Sequence, residues 1–259
     1  MPDAALPVSV IVLARNEAAR LGPCLQSAVW AAERLVIDSG SSDGTPAIAA
    51  AHGARVVAMG WHGFGRQRQL AEQHAAQPWI CMLDADERCS AALIAELRVR
   101  WEEWERSGIA AVSFPRRTWY MGRPLRWYRP FARDRVLRLY RRGSAQWSDD
   151  AVHERLRCAG PVARASGWLE HHSYPTVTEH LRKAARYVDL WAEQRRGRAA
   201  RTWLIPLALP VYLLRDLVWR LGICDGTPGV IAACITALSS ALKRARLAEL
   251  AAESACASR

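Results

Sequence analysis

The chain has no pair of cysteines at CxxC spacing. Its seven cysteines, at 24, 81, 89, 158, 224, 234 and 256, form an odd set without metal-ligand spacing. That argues against a disulfide framework or a cysteine metal site, and favours reduced thiols in a cytosolic compartment. No Gly/Ser, Gln or Pro tract marks a linker or a disordered arm, and no internal repeat is present. Residues 1–7 lack a basic stretch and carry Asp3, so a signal peptide is not expected. No apolar run approaches the ~20 residues needed to cross a hydrocarbon core. The run 203–214 stops at Arg215 and Asp216, and 230–242 is short and holds Thr and Ser. No GxGxxG follows the first apolar strand, which ends in Ala14-Arg15-Asn16-Glu17, so the dinucleotide-binding reading fails.

What is present is a globular composition, 51% hydrophobic over 259 residues, enough for one sizeable domain with an appendage. Residues 8–13 form an apolar, β-branched run, and 35–37 and 55–58 form two more. Helical spacing follows each, with Leu21, Leu25, Ala28 and Val29 on one face of the first helix, to about residue 31. A loop dense in small and helix-capping residues, 38–45, leads to Pro46 in a first helical turn. A glycine-punctuated loop at 60–65 leads to a helix ending near residue 76, and 80–83 is a fourth buried strand. Strand–helix alternation of this kind predicts a mostly parallel α/β sheet whose ligands bind beyond the carboxyl ends of the strands. Glu17, Asp38, Asp84 and Asp86 all fall at such ends.

The fourth strand runs into Asp84-Ala85-Asp86-Glu87, three acids in four residues. Their repulsion is relieved most directly by a hard divalent cation with oxygen ligands, which would in turn hold a phosphate. A solvated strand end, or the start of the helix near Ser90, is the plainer alternative. An aspartyl-nucleophile phosphatase also carries a strand-end Asp-x-Asp, but on its first strand.

Residues 9–17 (SVIVLARNE), 36–45 (VIDSGSSDGT) and 83–87 (LDADE) resemble the successive blocks of a family 2 glycosyltransferase with the GT-A fold. Residues 61–69 (WHGFGRQRQ) with Val152-His153-Glu154 resemble the branch of lipopolysaccharide-core β-1,4-glucosyltransferases. The resemblance implies a GT-A type α/β domain over residues 1–175, a mostly parallel sheet flanked by helices. A helical, membrane-associating or oligomerising region over 176–259 would follow it. It also implies a nucleotide-sugar site formed by Ala14, Glu17, Asp38, Arg68, Asp84 and Ala85. Asp86 would hold Mg2+ or Mn2+ on the diphosphate, and Glu154 would be the general base, with Asp150 or Asp149 as the fallback. Glu17 equally suits a first-turn acid on a helix dipole. Gln69 stands where many members have Asn, which keeps Arg66 as an alternative to Arg68.

Net charge is +11, and ten arginines face one acid, Asp134, over residues 116–142, interleaved with Trp119, Tyr120, Trp127 and Tyr128. Such a stretch suits a phosphate-rich partner: an anionic membrane surface, a phosphorylated glycolipid or a nucleic acid. His171 and His172 are candidate metal ligands, but adjacent histidines on an extended segment point to opposite faces, which favours a structural role for both. A helix from residue 176 should turn Leu181, Ala184, Ala185, Val188 and Ala192 inward. The apolar runs beyond it fit an interfacial hairpin, with Trp203 and Trp219 at the boundary and Arg198, Arg201, Arg215 and Arg220 near headgroups, or a packed helical subdomain. The expected protein is a peripheral or interfacial enzyme on the cytoplasmic face of an inner membrane. It would move a hexose, glucose from UDP-glucose first, onto a lipopolysaccharide-core or other glycolipid acceptor with inversion. The rivals are a polyprenyl-phosphate acceptor and a basic, non-catalytic binder of anionic lipid or nucleic acid. For the enzyme no nucleic-acid partner is expected, and a homo-oligomer is left open.

Overall fold

The computed structural model describes residues 4–132, 134–148, 156–198, 203 and 205–257. The first half runs β1 (Leu6–Ala14), α1 (Ala18–Gln26), β2 (Ala31–Asp38), α2 (Thr45–Ala51), β3 (Arg55–Ala58), α3 (Phe64–Glu72), β4 (Trp79–Asp84), β5 (Glu87–Cys89) and α4 (Ala91–Arg106). Then come β6 (Ala111–Tyr120), β7 (Arg123–Pro124), α5 (Arg129–Ala132), β8 (Asp134–Arg141), β9 (Ala145–Trp147), β10 (Leu156–Cys158), β11 (Val162–Arg164) and β12 (Leu169–Tyr174). The chain closes with α6 (Val177–Glu193), α7 (Ile205–Leu214), a π-helical turn Arg215–Trp219, a 3-10 turn Gly222–Asp225 and α8 (Gly226–Ala257). It divides into two compact units, Met1–Arg116 with Asp134–His171, and Arg117–Arg133 with His172–Arg259. Residues 117–133 of the arginine-rich stretch thus group with the C-terminal residues.

In the first unit the sheet runs β3-β2-β1-β4-β8-β6. The first four strands are parallel neighbours, and β8 enters antiparallel to both β4 and β6. Val8, Val10, Ile11 and Val12 of β1 and Ile80 to Leu83 of β4 have no exposed surface on either face. Continuous β-branched and apolar runs take this place because helices or further layers cover both sides of a parallel sheet. The mixed α/β sheet with flanking helices is the architecture expected from the sequence. α4 is capped by Ser90, whose Oγ accepts the Leu93 N–H at 3.1 Å, and it buries Leu93, Leu97, Trp101 and Trp104 at helical spacing.

Some boundaries differ from expectation. α1 ends at Gln26, and residues 27–30 turn the chain so that Trp30 fills the core while Val29 is exposed. β2 is correspondingly longer than its apolar centre, starting at Ala31. In α6 only His180, Val188 and Ala192 are buried, and Leu181 is 45% exposed. The apolar run 230–242 is not a short segment of its own, because it lies inside α8. Among the described residues one helix, Gly222–Glu253, is long and apolar enough to cross a membrane by length and composition.

The second unit has its own small core, in which Tyr120, Leu125, Tyr128, Ala232 and Ala233 are buried together. His180 is buried in this unit with Nδ1 3.0 Å from the Tyr120 hydroxyl. Burial, and secondarily the Lys183 charge, pulls its pKa from 6.5 down to about 4. An unfolded chain takes up this proton near pH 6.5 and the native chain only near 4. Stability is therefore undiminished above pH 6.5 and falls, by up to about 1.4 kcal/mol per pH unit, as the pH drops through that window. Tm measured across the window should decline for the wild type and decline less for His180→Gln. Parallel curves for the two proteins would remove His180 as the cause.

Candidate active site

Three parallel strands end at one level. Ala14 is in register with Asp38 across β1 and β2, and Leu13 is in register with Asp84 across β1 and β4. Ser39 N–H donates to the Ala14 carbonyl at 3.0 Å, which extends the ladder one step past the strand ends. Asn16 then takes a left-handed turn, φ 58°, a conformation in which Asn is tolerated better than most side chains. Its Oδ1 accepts Ser42 N–H at 2.8 Å, while the Glu17 N–H donates to Thr45 Oγ1 at 2.8 Å. The loops after β1 and β2 are thereby stitched together. Glu17 stands at the N-cap position of α1 without a side-chain capping bond, its carboxylate 3.5 Å from Arg20.

Asp38 is buried. Its Oδ2 accepts N–H bonds from Gly40 at 3.2 Å and Ser41 at 3.1 Å, and its Oδ1 accepts the Ser41 hydroxyl. A carboxylate has about four lone-pair sites, so these bonds fill three and one on Oδ1 remains for another donor.

Arginines neutralise part of the acidic turn from within. Arg138 of β8 is buried, with Nη2 2.6 Å from both Asp84 Oδ2 and Glu87 Oε1. Arg68 of α3 is also buried and reaches Asp84 Oδ1 at 2.6 Å, and Arg116 lies 3.3 Å from the fully buried Glu87. Glu87 further accepts the Asp84 N–H at 3.1 Å, closing the turn that carries Ala85 and Asp86. Burial pushes the Asp84 carboxyl up, but Arg138 and then Arg68 override it and hold it well below the usual carboxylate range.

Asp86 faces a different partner. His171 of β12 places Nε2 3.4 Å from its Oδ2. β12 is brought there by pairing of His171 with Glu87 and of Leu169 with Cys89, and by Glu96, whose carboxylate accepts the N–H groups of Ser166 and Gly167 at 2.7 Å each. Gly167 is required at this crossing, because a Cβ there would lie 2.3 Å from the Leu93 Cα. The histidine pair does split as alternation predicts: His172, in the second unit, stacks on Trp119 at 5.1 Å. The meeting of His171 with Asp86, 85 positions away in the chain, has no signal in the local sequence.

Three consecutive residues of α3 serve three partners. Buried Gln67 donates to Ser39 Oγ at 3.1 Å and accepts the His62 N–H at 3.1 Å, tying the loop after β2 to the glycine-rich loop. Arg68, expected to reach the nucleotide or its phosphates, lies between Asp84 and the face of Trp147, 4.7 Å from the ring centroid. Gln69 donates to the Trp147 carbonyl at 2.8 Å, and Arg66 is exposed and bonded to Gln69. Trp147 is also fixed by its indole N–H on the Tyr140 hydroxyl, which donates to Glu72 at 2.6 Å. This clamp ends one residue before Ser148. Asp149, Asp150, Val152, His153 and Glu154, the candidates for the base and their neighbours, lie outside the described residues.

The arginine-rich stretch is not one phosphate patch. Besides Arg116 and Arg138, Arg135 donates to the carbonyls of Ser113 and Ala165, Arg141 to that of Ile109, and Arg142 to those of Ala75 and Gln77. Half of the ten therefore hold the first unit together.

A family model described as glycosyl transferase family 2 matches residues 9–160, more than half of the chain and all three strand ends described above. The chain belongs to glycosyl transferase family 2. This glycosyltransferase is 32% identical over 253 residues to a lipopolysaccharide core biosynthesis glycosyltransferase, LpsC, of Rhizobium meliloti, covering 90% of this chain and 91% of the relative. An uncharacterized glycosyltransferase of Rickettsia typhi is 24% identical over 94% of this chain and 87% of its own. Among solved structures, mannosyl-3-phosphoglycerate synthase from Rubrobacter xylanophilus matches with 27% identity and a TM-score of 0.37, over 43% of this chain and 40% of that one. Likeness at that score carries no argument about chemistry.

Arg138→Met leaves the fully buried Glu87 with Arg116 alone, while Asp84, a third exposed, keeps Arg68, and should cost up to about 3 kcal/mol in urea unfolding. Adding Glu87→Gln should recover part of that loss. An equal effect of Glu87→Gln in the wild type and in the Arg138→Met background would show that the pair is not coupled.

Proposed function

We propose that this family 2 glycosyltransferase moves a hexose, with UDP-glucose as the leading donor, onto a lipopolysaccharide-core glycolipid, with inversion and with the help of a divalent cation. The observation that carries the reading is the split within the acidic turn. Asp84 and Glu87 are committed to buried arginines, whereas Asp86 meets a histidine. The core-glycolipid acceptor is supported by the relative named for lipopolysaccharide core biosynthesis, which matches along nearly its whole length.

The donor atoms present suit such a cation. Among the described residues no group of three or more His, Cys, Asp or Glu could hold a metal alone. Asp86 and His171 offer one carboxylate and one imidazole, and a Mg2+ or Mn2+ ion that shares its coordination with a substrate diphosphate needs few protein ligands. When bound, the ion supplies neutralisation of charge growing on the leaving diphosphate. The remaining acceptor site on Asp38 Oδ1 suits the ring N–H of uracil, and Ala14, Glu17 and Ala85 line the same strand ends. Arg68, which fixes Asp84 and faces Trp147, belongs to the same nucleotide site. Glu154, or Asp150 or Asp149 in its place, takes the proton of the acceptor hydroxyl as that oxygen attacks the anomeric carbon from the face opposite the diphosphate.

Calorimetry with UDP, with and without Mn2+, should give metal-dependent binding that Asp86→Asn abolishes. Metal-independent binding unaffected by that change would remove Asp86 from the donor site. Glu154→Gln should leave UDP affinity intact and lower kcat by about 10²–10⁴-fold. Transfer that survives loss of Glu154, Asp150 and Asp149 together would point to an acceptor oxygen already anionic, such as a polyprenyl phosphate.

A further inference from the structure

Asp225 has no place in the transfer chemistry, yet it makes the most concentrated set of long-range hydrogen bonds in the second unit. Its carboxylate accepts the backbone N–H groups of Arg126 at 2.8 Å, Trp127 at 3.0 Å and Tyr128 at 2.8 Å. Arg129 N–H donates to the Arg220 carbonyl at 3.0 Å. Four successive residues of one loop are thus fastened to the segment 220–225. Leu125 and Tyr128 are buried beneath the loop, which holds it from below.

What this fastening presents outward serves no interior. Trp127 is 53% exposed, and Val218, Trp219 and Ile223 on the attached segment are 57%, 77% and 59% exposed. Arg123, Arg126 and Arg129 are exposed beside them. The acids of this segment are turned inward, Asp225 onto backbone N–H groups and the fully buried Asp216 onto Arg215 at 2.6 Å and Arg220 at 2.8 Å. A rigid backbone that displays tryptophan and isoleucine among arginines, with its carboxylates withdrawn, is matched to the boundary between acyl chains and anionic headgroups. A nucleic acid would satisfy the arginines but would leave the isoleucine and valine without partners.

We propose that residues 123–129 and 218–223 form one docking surface for an anionic lipid bilayer. Trp127, Trp219 and Ile223 enter the headgroup boundary, and Arg123, Arg126 and Arg129 meet lipid phosphates. The surface goes beyond the transfer reaction and rests on the glycolipid reading only in that a bilayer-borne acceptor gives it a purpose.

The test is co-sedimentation of the full chain with vesicles of phosphatidylcholine alone and of phosphatidylcholine mixed with phosphatidylglycerol. Each arginine near an anionic leaflet strengthens partitioning about fivefold. Arg123→Ser, Arg126→Ser and Arg129→Ser combined should therefore weaken binding to the mixed vesicles about 100-fold, with Tm and UDP binding unchanged. Trp127→Ser should weaken binding while retaining its salt dependence. Equal binding to the two vesicle types would overturn the proposal, as would a triple variant that binds like wild type, or a wild-type dimer that the triple variant dissolves. Absence of vesicle binding overturns the surface even where UDP binding stands. Failure of UDP binding with vesicle binding intact sinks the UDP-donor reading instead.

Discussion

A buried guanidinium between two carboxylates holds the site together. Arg138 bridges Asp84 and Glu87 in the interior, where an unpaired member of such a group would be costly. The strand that breaks the parallel sheet supplies this guanidinium. β8 enters antiparallel beside β4, with Leu139 opposite Cys81, and brings Arg138 toward the end of the strand from which Asp84 emerges.

The neutralised turn is a rigid base for the one carboxylate that meets a histidine. Asp86 sits between two residues fixed by arginines, with the Asp84 N–H bonded to Glu87 across it. On the opposite flank, α3 couples three loops through Gln67, Arg68 and Gln69, so that the loop after β2, the acidic turn and Trp147 are held by one helical turn. The Gln at 69, unusual beside the family resemblance, is thereby explained: its amide reaches a backbone carbonyl of β9. Preorganisation of this kind suits a reaction in which charge develops at a leaving group and the protein gains by not reorganising.

The second unit follows a different logic. Its core is small and aromatic, and its order depends on two carboxylates used as internal anchors, Asp216 for two arginines and Asp225 for three backbone N–H groups. The sequence Asp225-Gly226-Thr227-Pro228-Gly229 has no assignable chemistry when read locally. Its purpose is visible only against the loop nearly one hundred positions earlier.

The sequence by itself determined the parallel half of the sheet, its strand ends and the residues standing there. Burial on both faces demands unbroken apolar runs, and the chemistry must begin where those runs stop. It also determined the family, because the motifs at those ends are contiguous. Only the tertiary structure decided which charges are spent on each other. Arg138 and Arg68 differ in no local respect from arginines facing solvent, His171 reads like its neighbour His172, and Asp225 reads like any turn residue. Their partners lie 16 to 99 positions away. Such pairings arise from the crossing of elements, which no local periodicity records.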